Sequence, residues 1–483
     1  METAMHLKRF FARLCAASLI CISLAPPALS QQQQAEATKP AQGAEKQPPP
    51  EGGKPKAFTL PQKETITLAN GMKATLVPYG TLPKVAISVT VRAGKLNESP
   101  TQVWLSDLTV SMLKEGTTSR SSAALAEEVA SMGGVLDVTV GPDQTVVIGD
   151  VLSEFGPQLL SLMAEVVQKP LLPEKELARL KNNLTRQLTI SKSQPGPLAL
   201  ERFRKILYPN HAYGRVFPTE QMIESYTIAD VQKFYRDNFG AARTHIFIAG
   251  RFDQAQMKKA IRETFEAWPR GRDPIEDIPK PTAARTIQLI DRPGAEQSTI
   301  YIGLPVIYPG HKDYMPLLVT NTLLGGSFAS RITSNIREQK GYTYSPSSSV
   351  STRYRDAYWT EVADVTTNVT GPSLKEIFYE IDRLQKEPPT EQELNGIKNY
   401  LAGIFVLQNS SREGVINQLS FLNLHRLDDK YLTDYVQNIY AVTPAEVQRI
   451  AQTYLQAGKM AIVIVGDREK IAKDVSAFGD IVN

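Results

Sequence analysis

Cysteine is nearly absent: the 483 residues contain two, Cys15 and Cys21, both close to the N-terminus. Once that stretch is removed, disulfides, thiolate zinc sites and cysteine nucleophiles are excluded together. Histidine is scarce as well, with five in the chain. Past His6 they are His211, His245, His311 and His425, no two of them within 30 residues, so no local two-histidine metal motif exists. Charge of one sign is also missing. There are 54 Lys and Arg against 50 Asp and Glu, a net charge of +4, and no basic stripe interleaved with aromatics, which is not the composition of a dedicated nucleic-acid binder. Beyond the N-terminal segment no run approaches the ~18 consecutive apolar residues of a membrane span.

What is present begins with a targeting pattern. Lys8, Arg9 and Arg13 precede and enter an apolar run from Leu14 to Leu24, and Ala28-Leu29-Ser30 offers a small-residue exit before Gln31. Residues 1–30 therefore read as a cleavable signal peptide, which places the protein in the periplasm or another exported compartment and leaves it without a membrane span after cleavage. Residues 31–57 are rich in Gln, Ala, Pro, Gly and Lys and lack an apolar face. Such a stretch cannot bury enough surface to offset its ordering entropy, and it reads as a disordered leader.

From Phe58 onward, alternation in Thr65-Ile66-Thr67-Leu68, Lys73 to Tyr79 and Lys84 to Arg92 predicts strands, followed by helical periodicity. The same order recurs later in the chain. Pro173 to Leu184 aligns with Thr390 to Leu401 at an offset of 217, and Thr227-Ile228-Ala229-Asp230-Val231-Gln232 with Thr443-Pro444-Ala445-Glu446-Val447-Gln448 at 216. In the second pair a Thr hydroxyl can accept the amide three residues on, with an acid placed to answer it. Each of these helices leads to a short strand ending in glycine, Ile246 to Gly250 and Ile462 to Gly466. The chain thus reads as two copies of an α+β unit, 58–270 and 286–483, joined by a Pro-rich and charged linker over 271–285.

These features and several local runs lead to one family. Leu68-Ala69-Asn70-Gly71-Met72, Ser111 to Thr117, Met132-Gly133-Gly134 and Tyr208-Pro209-Asn210-His211-Ala212-Tyr213-Gly214 are similar to runs of the pitrilysin or insulinase-like zinc peptidases, which include the mitochondrial processing peptidase. The resemblance implies two homologous lobes, each a mostly antiparallel sheet packed with helices, arranged as a clamshell. Catalytic members carry H-x-x-E-H on their first helix, where histidines at i and i+4 bind zinc and the glutamate handles water. The register ending in Gly116-Thr117 puts Asp107, Val110 and Ser111 at those positions. Valine has no proton to transfer, serine is a poor neutral ligand, and one aspartate cannot replace three ligands. The third ligand position falls near Arg186-Gln187, where arginine repels a cation. Asp107 and Ser111 share a helix face opposite Trp104, Leu108 and Met112, where they either bond each other or nearby backbone, or keep a vestigial substrate pocket.

The second half retains more. Asn321 to Ile332, with Gly325, Gly326, Ser327 and Phe328 at its centre, leads into Ile336-Arg337-Glu338-Gln339-Lys340-Gly341-Tyr342-Thr343-Tyr344. This resembles the family's glycine-rich stretch and its arginine and tyrosine pair, seven residues apart, which in active members reaches the substrate carbonyl. Arg337 and Tyr344 match by spacing, and Tyr342 competes for the tyrosine role. A guanidinium offers fixed donors to a carbonyl, and a phenol can donate to an oxyanion.

The resemblance therefore implies a zinc-free subunit. Its partner would carry H-x-x-E-H and the zinc, and Arg337, Tyr344 and the Gly325 to Phe328 loop, with Tyr342, would contact peptide substrates. No cofactor is expected in this chain itself. A binding-class alternative is a two-lobed peptide holder or envelope scaffold that acts without a protease partner. A hydrolase with another nucleophile would need a motif such as G-x-S-x-G, and none is present.

Overall fold

The computed structural model describes residues 58–482; the signal peptide and the leader expected from sequence lie outside them. The predicted opening strands form within a residue of their expected ends, as β1 (Glu64–Thr67), β2 (Lys73–Pro78) and β3 (Lys84–Val91). With β4 (Val135–Val140), β5 (Thr145–Leu152) and β6 (Thr244–Gly250) they build a six-stranded sheet in the order β1-β2-β6-β3-β5-β4. Only β2 and β6 run parallel.

The second half repeats this plan. β7 (Thr286–Asp291), β8 (Gln297–Val306), β9 (Ser347–Arg353), β10 (Asp356–Thr366), β11 (Ala461–Gly466) and β12 (Ile481–Val482) form a sheet ordered β12-β7-β11-β8-β10-β9. The edge position that β1 fills from the front of its half is filled here by β12 from the end of the chain, running parallel to β7. Both halves enter their penultimate helix through a capping box. Thr227 accepts from the Asp230 amide and Thr443 from the Glu446 amide, each at 3.2 Å, and each acid returns to the Thr amide at 2.9 Å. The repeat read from sequence is thus a structural repeat as well.

Each sheet covers one face with helices of its own half and the other with a helix from the opposite half. The helix Pro195–Leu207 packs on β8 and β11, burying Ala199, Phe203 and Leu207 against Tyr358, Ala461, Val463 and Val465. The helix Arg412–His425 packs on β3 and β6, burying Val415, Ile416, Leu419 and Leu422 against Ala86, Phe247 and Ala249. This reciprocity explains why β11 and nearly all of β3 and β6 are buried at every position. Strands covered on both faces read as apolar runs and not as an alternation, and the few polar exceptions here, such as Ser88 and Thr90, are small. Gly303 on β8 makes room for the crossing helix, since a Cβ there would lie 2.7 Å from the Phe203 ring.

Residues 271–285 between the sheets form no helix or strand, but they are pinned. Arg243 donates to the carbonyls of Arg272 and Asp273 at 3.0 and 2.6 Å, and the Thr282 amide to Leu207 at 2.8 Å. No helix among the described residues is long and apolar enough to cross a membrane.

Candidate functional site

In the second half the helix Tyr314–Leu324 ends at Gly325, and the chain turns through Gly326, Ser327 and Phe328 before a wide π-helical turn, Thr333–Gln339. Two anchors fix this segment. Arg331 forms a two-point pair with Glu393 at 2.7 and 2.9 Å, and Asn335 donates to Glu376 and Glu380 at 3.0 and 2.8 Å. Bonds from Lys340 to Asn335 and from Tyr342 to Ile336 stretch the turn beyond α-helical spacing. Turns of this kind cost regular hydrogen bonding and concentrate at functional positions. Here the turn carries Arg337.

The Arg337 guanidinium carbon stands 4.3 Å from the centre of the Phe328 ring and 5.1 Å from that of Tyr344. Among the described residues its one ionic contact is Nε to Glu338 at 3.4 Å. The terminal nitrogens donate to no acceptor among the described residues. Aromatic faces hold a guanidinium by its flat sides and leave its edge donors available for a carbonyl or carboxylate. Both rings are largely open to solvent, Phe328 at 68% and Tyr344 at 82% exposure. Gly325, Gly326, Ser327, Phe328, Arg337 and Tyr344 all line one pocket of about 390 Å³, floored by the first residue of β9. β9 is an edge strand, so the sheet leaves its outer hydrogen-bonding row unpaired; on that row the Ser348 amide is taken by the Gly325 carbonyl at 3.0 Å.

Tyr342 is the exception among the residues expected here. It does not line the pocket; its side chain packs against the apolar core of the second half. The amides of Tyr342 and Thr366 tie this backbone to Ile336 and to β10, which turns the ring inward, and the following bend turns Tyr344 outward. Tyr344 is therefore the tyrosine beside Arg337.

Sequence reasoning missed what lies behind the loop. Glu361 on β10 is fully buried, and neither carboxyl oxygen has a side-chain hydrogen-bond partner among the described residues. Burial holds its pKa well above 4.5, with only a partial offset from the Ser347 backbone, because a low-dielectric surrounding disfavours the charged form. Beside it the Asn321 side-chain oxygen accepts from Trp359 and Ser348, each at 2.9 Å. An acid inside the apolar run Ala357-Tyr358-Trp359-Thr360-Glu361-Val362-Ala363 is the signal that would have found it.

In the first half, Asp107, Val110 and Ser111 lie on the helix Leu105–Leu113, with Trp104, Leu108 and Met112 buried on its other side. Ser111 spends its hydroxyl on the Asp107 carbonyl at 2.8 Å, and Asp107 faces Lys95 at 3.2 Å. Val110 is buried. Burial raises the Asp107 pKa and Lys95 opposes it. Nearby, the buried Glu98 accepts from the Ser106 amide and hydroxyl at 2.9 and 2.5 Å, which gives the helix start an acceptor that Trp104 cannot supply. Burial lifts the Glu98 carboxyl to about 7, with Asp107 adding to the rise and the Ser106 bonds working against it.

This donor set does not fit zinc. Among the described residues no three His, Cys, Asp or Glu side chains are grouped to hold a metal ion. The four histidines sit apart. His211 accepts from the Tyr213 amide at 3.2 Å, and His245 bonds Thr75 at 2.8 Å. Arg186, at the expected third position, donates to Asn183 at 3.0 Å.

Two models of one family match the chain, the insulinase (peptidase family M16) model over residues 77–217 and the peptidase M16 inactive domain model over residues 225–401. Among curated relatives, YmxG of Bacillus subtilis, described as an uncharacterized zinc protease, is 26% identical over 75% of this chain and 93% of its own length. An uncharacterized zinc protease of Streptomyces coelicolor is 21% identical over 80% and 86%. A crystal structure of a peptidase M16 inactive domain from Pseudomonas fluorescens superposes with a TM-score of 0.78 at 25% identity, covering 84% of this chain and 98% of that one. A protease from Helicobacter pylori superposes at 0.80, with 20% identity over 84% and 100%. Sheet order, internal repeat and both family models converge, and the chain belongs to the insulinase, or M16, peptidase family.

Proposed function

We propose that this protein is the zinc-free member of a two-chain peptidase of its family, exported to the periplasm. It would pair with a subunit that carries H-x-x-E-H and the metal. The observation that carries the reading is Arg337, held between Phe328 and Tyr344 with its terminal donors unspent, in a chain whose first helix offers Asp107, Val110 and Ser111 where zinc ligands and a base would be needed. A substrate strand added to the edge of β9 beyond Ser348, whose amide the Gly325 carbonyl already holds, would bond through backbone, tolerate many sequences, and bring a carbonyl toward Arg337 and Tyr344. Unfolded or short peptides are the corresponding substrates. The relatives described as zinc proteases and the neighbour described as an inactive domain support the two sides of this division of labour.

The test is isolation of the tagged protein from its native envelope fraction, followed by peptide cleavage with the complex. The expected result is a roughly equimolar companion with H-x-x-E-H and chelator-sensitive turnover. Arg337→Ala should lower kcat by about 10²-fold or more without loss of assembly, the scale of removing one transition-state donor. Unchanged turnover sinks the assignment. The alternative of a peptide holder without a partner draws on the open, aromatic character of the pocket. It takes the lead if the protein is recovered alone and binds unfolded peptide through Arg337 without cutting it.

A further inference from the structure

A second cleft, of about 370 Å³, opens where the starts of β2 and β6 and the residue after β3 meet the C-terminal end of the helix Arg412–His425. Lys73, Arg92, Arg243 and Arg426 line it, and no Asp or Glu does. None of these residues belongs to the Arg337 pocket.

The charges there are poorly compensated. Arg243, only 4% exposed, spends its donors on neutral acceptors: the Arg272 and Asp273 carbonyls and the Asn238 side-chain oxygen at 3.2 Å. Burial pushes its pKa down, repulsion from Arg92 and Arg272 adds to this, and Asp273 opposes it. The Arg92 Nε is buried without a hydrogen-bond partner, and its guanidinium rests over the Tyr354 ring at 4.4 Å. Lys73 makes no ion pair or side-chain hydrogen bond among the described residues. Arg426 alone forms an ion pair among the described residues, with Glu276, and its guanidinium lies 5.8 Å from the same Tyr354 ring; Asp143 and Asp273 attract Arg92 and Arg243 without pairing with them. Gathering cations in a half-buried cleft without carboxylates costs stability, and a bound anion would offset that cost.

We propose that this cleft binds a compact, multivalent oxyanion, a phosphate or a polycarboxylate. Its ligands would be Lys73, Arg92 and Arg243 from the first half and Arg426 from the second, so the anion would clip the end of the crossing helix to the sheet beneath it. Guanidinium forks suit such oxygens, and charge-assisted bonds to them are the strong ones. An extended polyanion would need a continuous basic stripe, which this chain lacks.

Calorimetric titration of the full chain at low ionic strength, with pyrophosphate in one arm and citrate in another, tests this. Saturable one-to-one binding that weakens with added sodium chloride is expected. The Lys73→Gln, Arg92→Gln double variant should lose about tenfold or more in affinity, with unchanged circular dichroism and a Tm in chloride no lower than that of the parent. Should Arg92→Gln disturb Tyr354, the surface variant Lys73→Gln alone still has to lose several-fold. Binding of pyrophosphate alone identifies a phosphate ligand and of citrate alone a carboxylate one; binding of both shows that charge density decides. No saturation with either anion up to about 10 mM, the weak end of specific affinity, or equal affinity in the variants overturns the proposal.

Discussion

The carboxyl of Glu361 lies directly behind Gly325: a Cβ built on that glycine would sit 2.5 Å from Glu361 Oε2 and 2.7 Å from Ser348 Oγ. The loop that carries Gly326, Ser327 and Phe328 therefore rests on a buried acid that no side-chain hydrogen bond among the described residues restrains. The absence of a side chain at 325 lets the backbone come close, and the acid fills the volume behind it.

Gly325→Ala should consequently cost about 1–3 kcal/mol, the usual range for overpacking, and weaken peptide binding by displacing Phe328 from Arg337. Urea unfolding and fluorescence anisotropy with a labelled unfolded peptide measure the two effects. Gly325→Ala combined with Glu361→Ala should recover part of the lost stability, because the clash partner is gone. Strict additivity of the two single losses would show that the contact carries no coupling.

Glu98 provides a pH signature. Its carboxyl is raised from 4.5 to about 7 in the folded protein. A raised pKa means the native state binds the proton more tightly, so this stability is fully present below 4.5 and is lost as pH rises through 7. The loss amounts to ~3 kcal/mol at 1.36 kcal/mol per pKa unit. Glu361, also raised by burial, acts in the same direction. Glu98→Gln keeps an oxygen for the Ser106 amide and hydroxyl and removes the titration. It should match the parent protein near pH 5 and exceed it in urea midpoint at pH 8. A constant difference across that range would remove Glu98 as the source.

Much of this architecture was legible because local rules and tertiary structure agree. The Thr227 and Thr443 capping boxes sit where the chain placed them, and β6 and β11 end in Gly250 and Gly466 as expected. Glycines with Phe328, Arg337 and Tyr344 meet in one pocket, because all of them lie within one turn-helix-turn segment. What was not legible depends on long-range partners. Nothing local to Pro195–Leu207 says that it crosses to the other sheet, since an amphipathic helix reads the same whichever sheet covers it. Tyr342 and Tyr344 are two residues apart and would share a face in a strand; a bend separates them instead. The basic cleft joins Lys73 and Arg426, more than half the chain apart, and no window along the sequence contains both.

The crossing helices are also tied by charge. Arg412, at the start of its helix, donates to Asp150 on β5 at 3.1 and 2.9 Å, and Lys84 reaches the same carboxyl at 2.6 Å. Arg412 and Asp150 are only 18% and 17% exposed. Burial alone would raise the Asp150 pKa, but Lys84 and Arg412 together hold it below 3.8. Arg412→Ala should cost about 2–4 kcal/mol, near the range for opening a mostly buried pair. Asp150→Asn should cost a similar amount by leaving two cations without their acid. A loss under 0.5 kcal/mol in urea unfolding, the surface-pair range, would show that solvent already screens this contact.

Phe203 carries the corresponding apolar tie in the other direction. Its ring is fully buried, lies 5.6 Å from the Tyr358 ring and 6.0 Å from that of Tyr301, and rests on Gly303. Since the helix that bears it belongs to the first half and the sheet it covers to the second, the contact stabilises both halves at once. Phe203→Ala should cost about 3–5 kcal/mol through lost burial and the cavity left behind. The same change should split unfolding into two calorimetric steps, because the remaining contacts within each sheet are untouched while the shared cluster of Ala199, Leu207, Val463 and Val465 loses its centre. Gly303→Ala attacks the same junction from the sheet side, but its Cβ would also lie 2.2 Å from the Trp359 carbonyl oxygen of β10, so it should disturb the β8–β10 pairing as well as the Phe203 ring and cost at least as much. A single cooperative transition in both variants would mean that the crossing of Arg412–His425 onto β3 and β6 is sufficient to couple the halves, and that the reciprocal exchange is redundant for cooperativity.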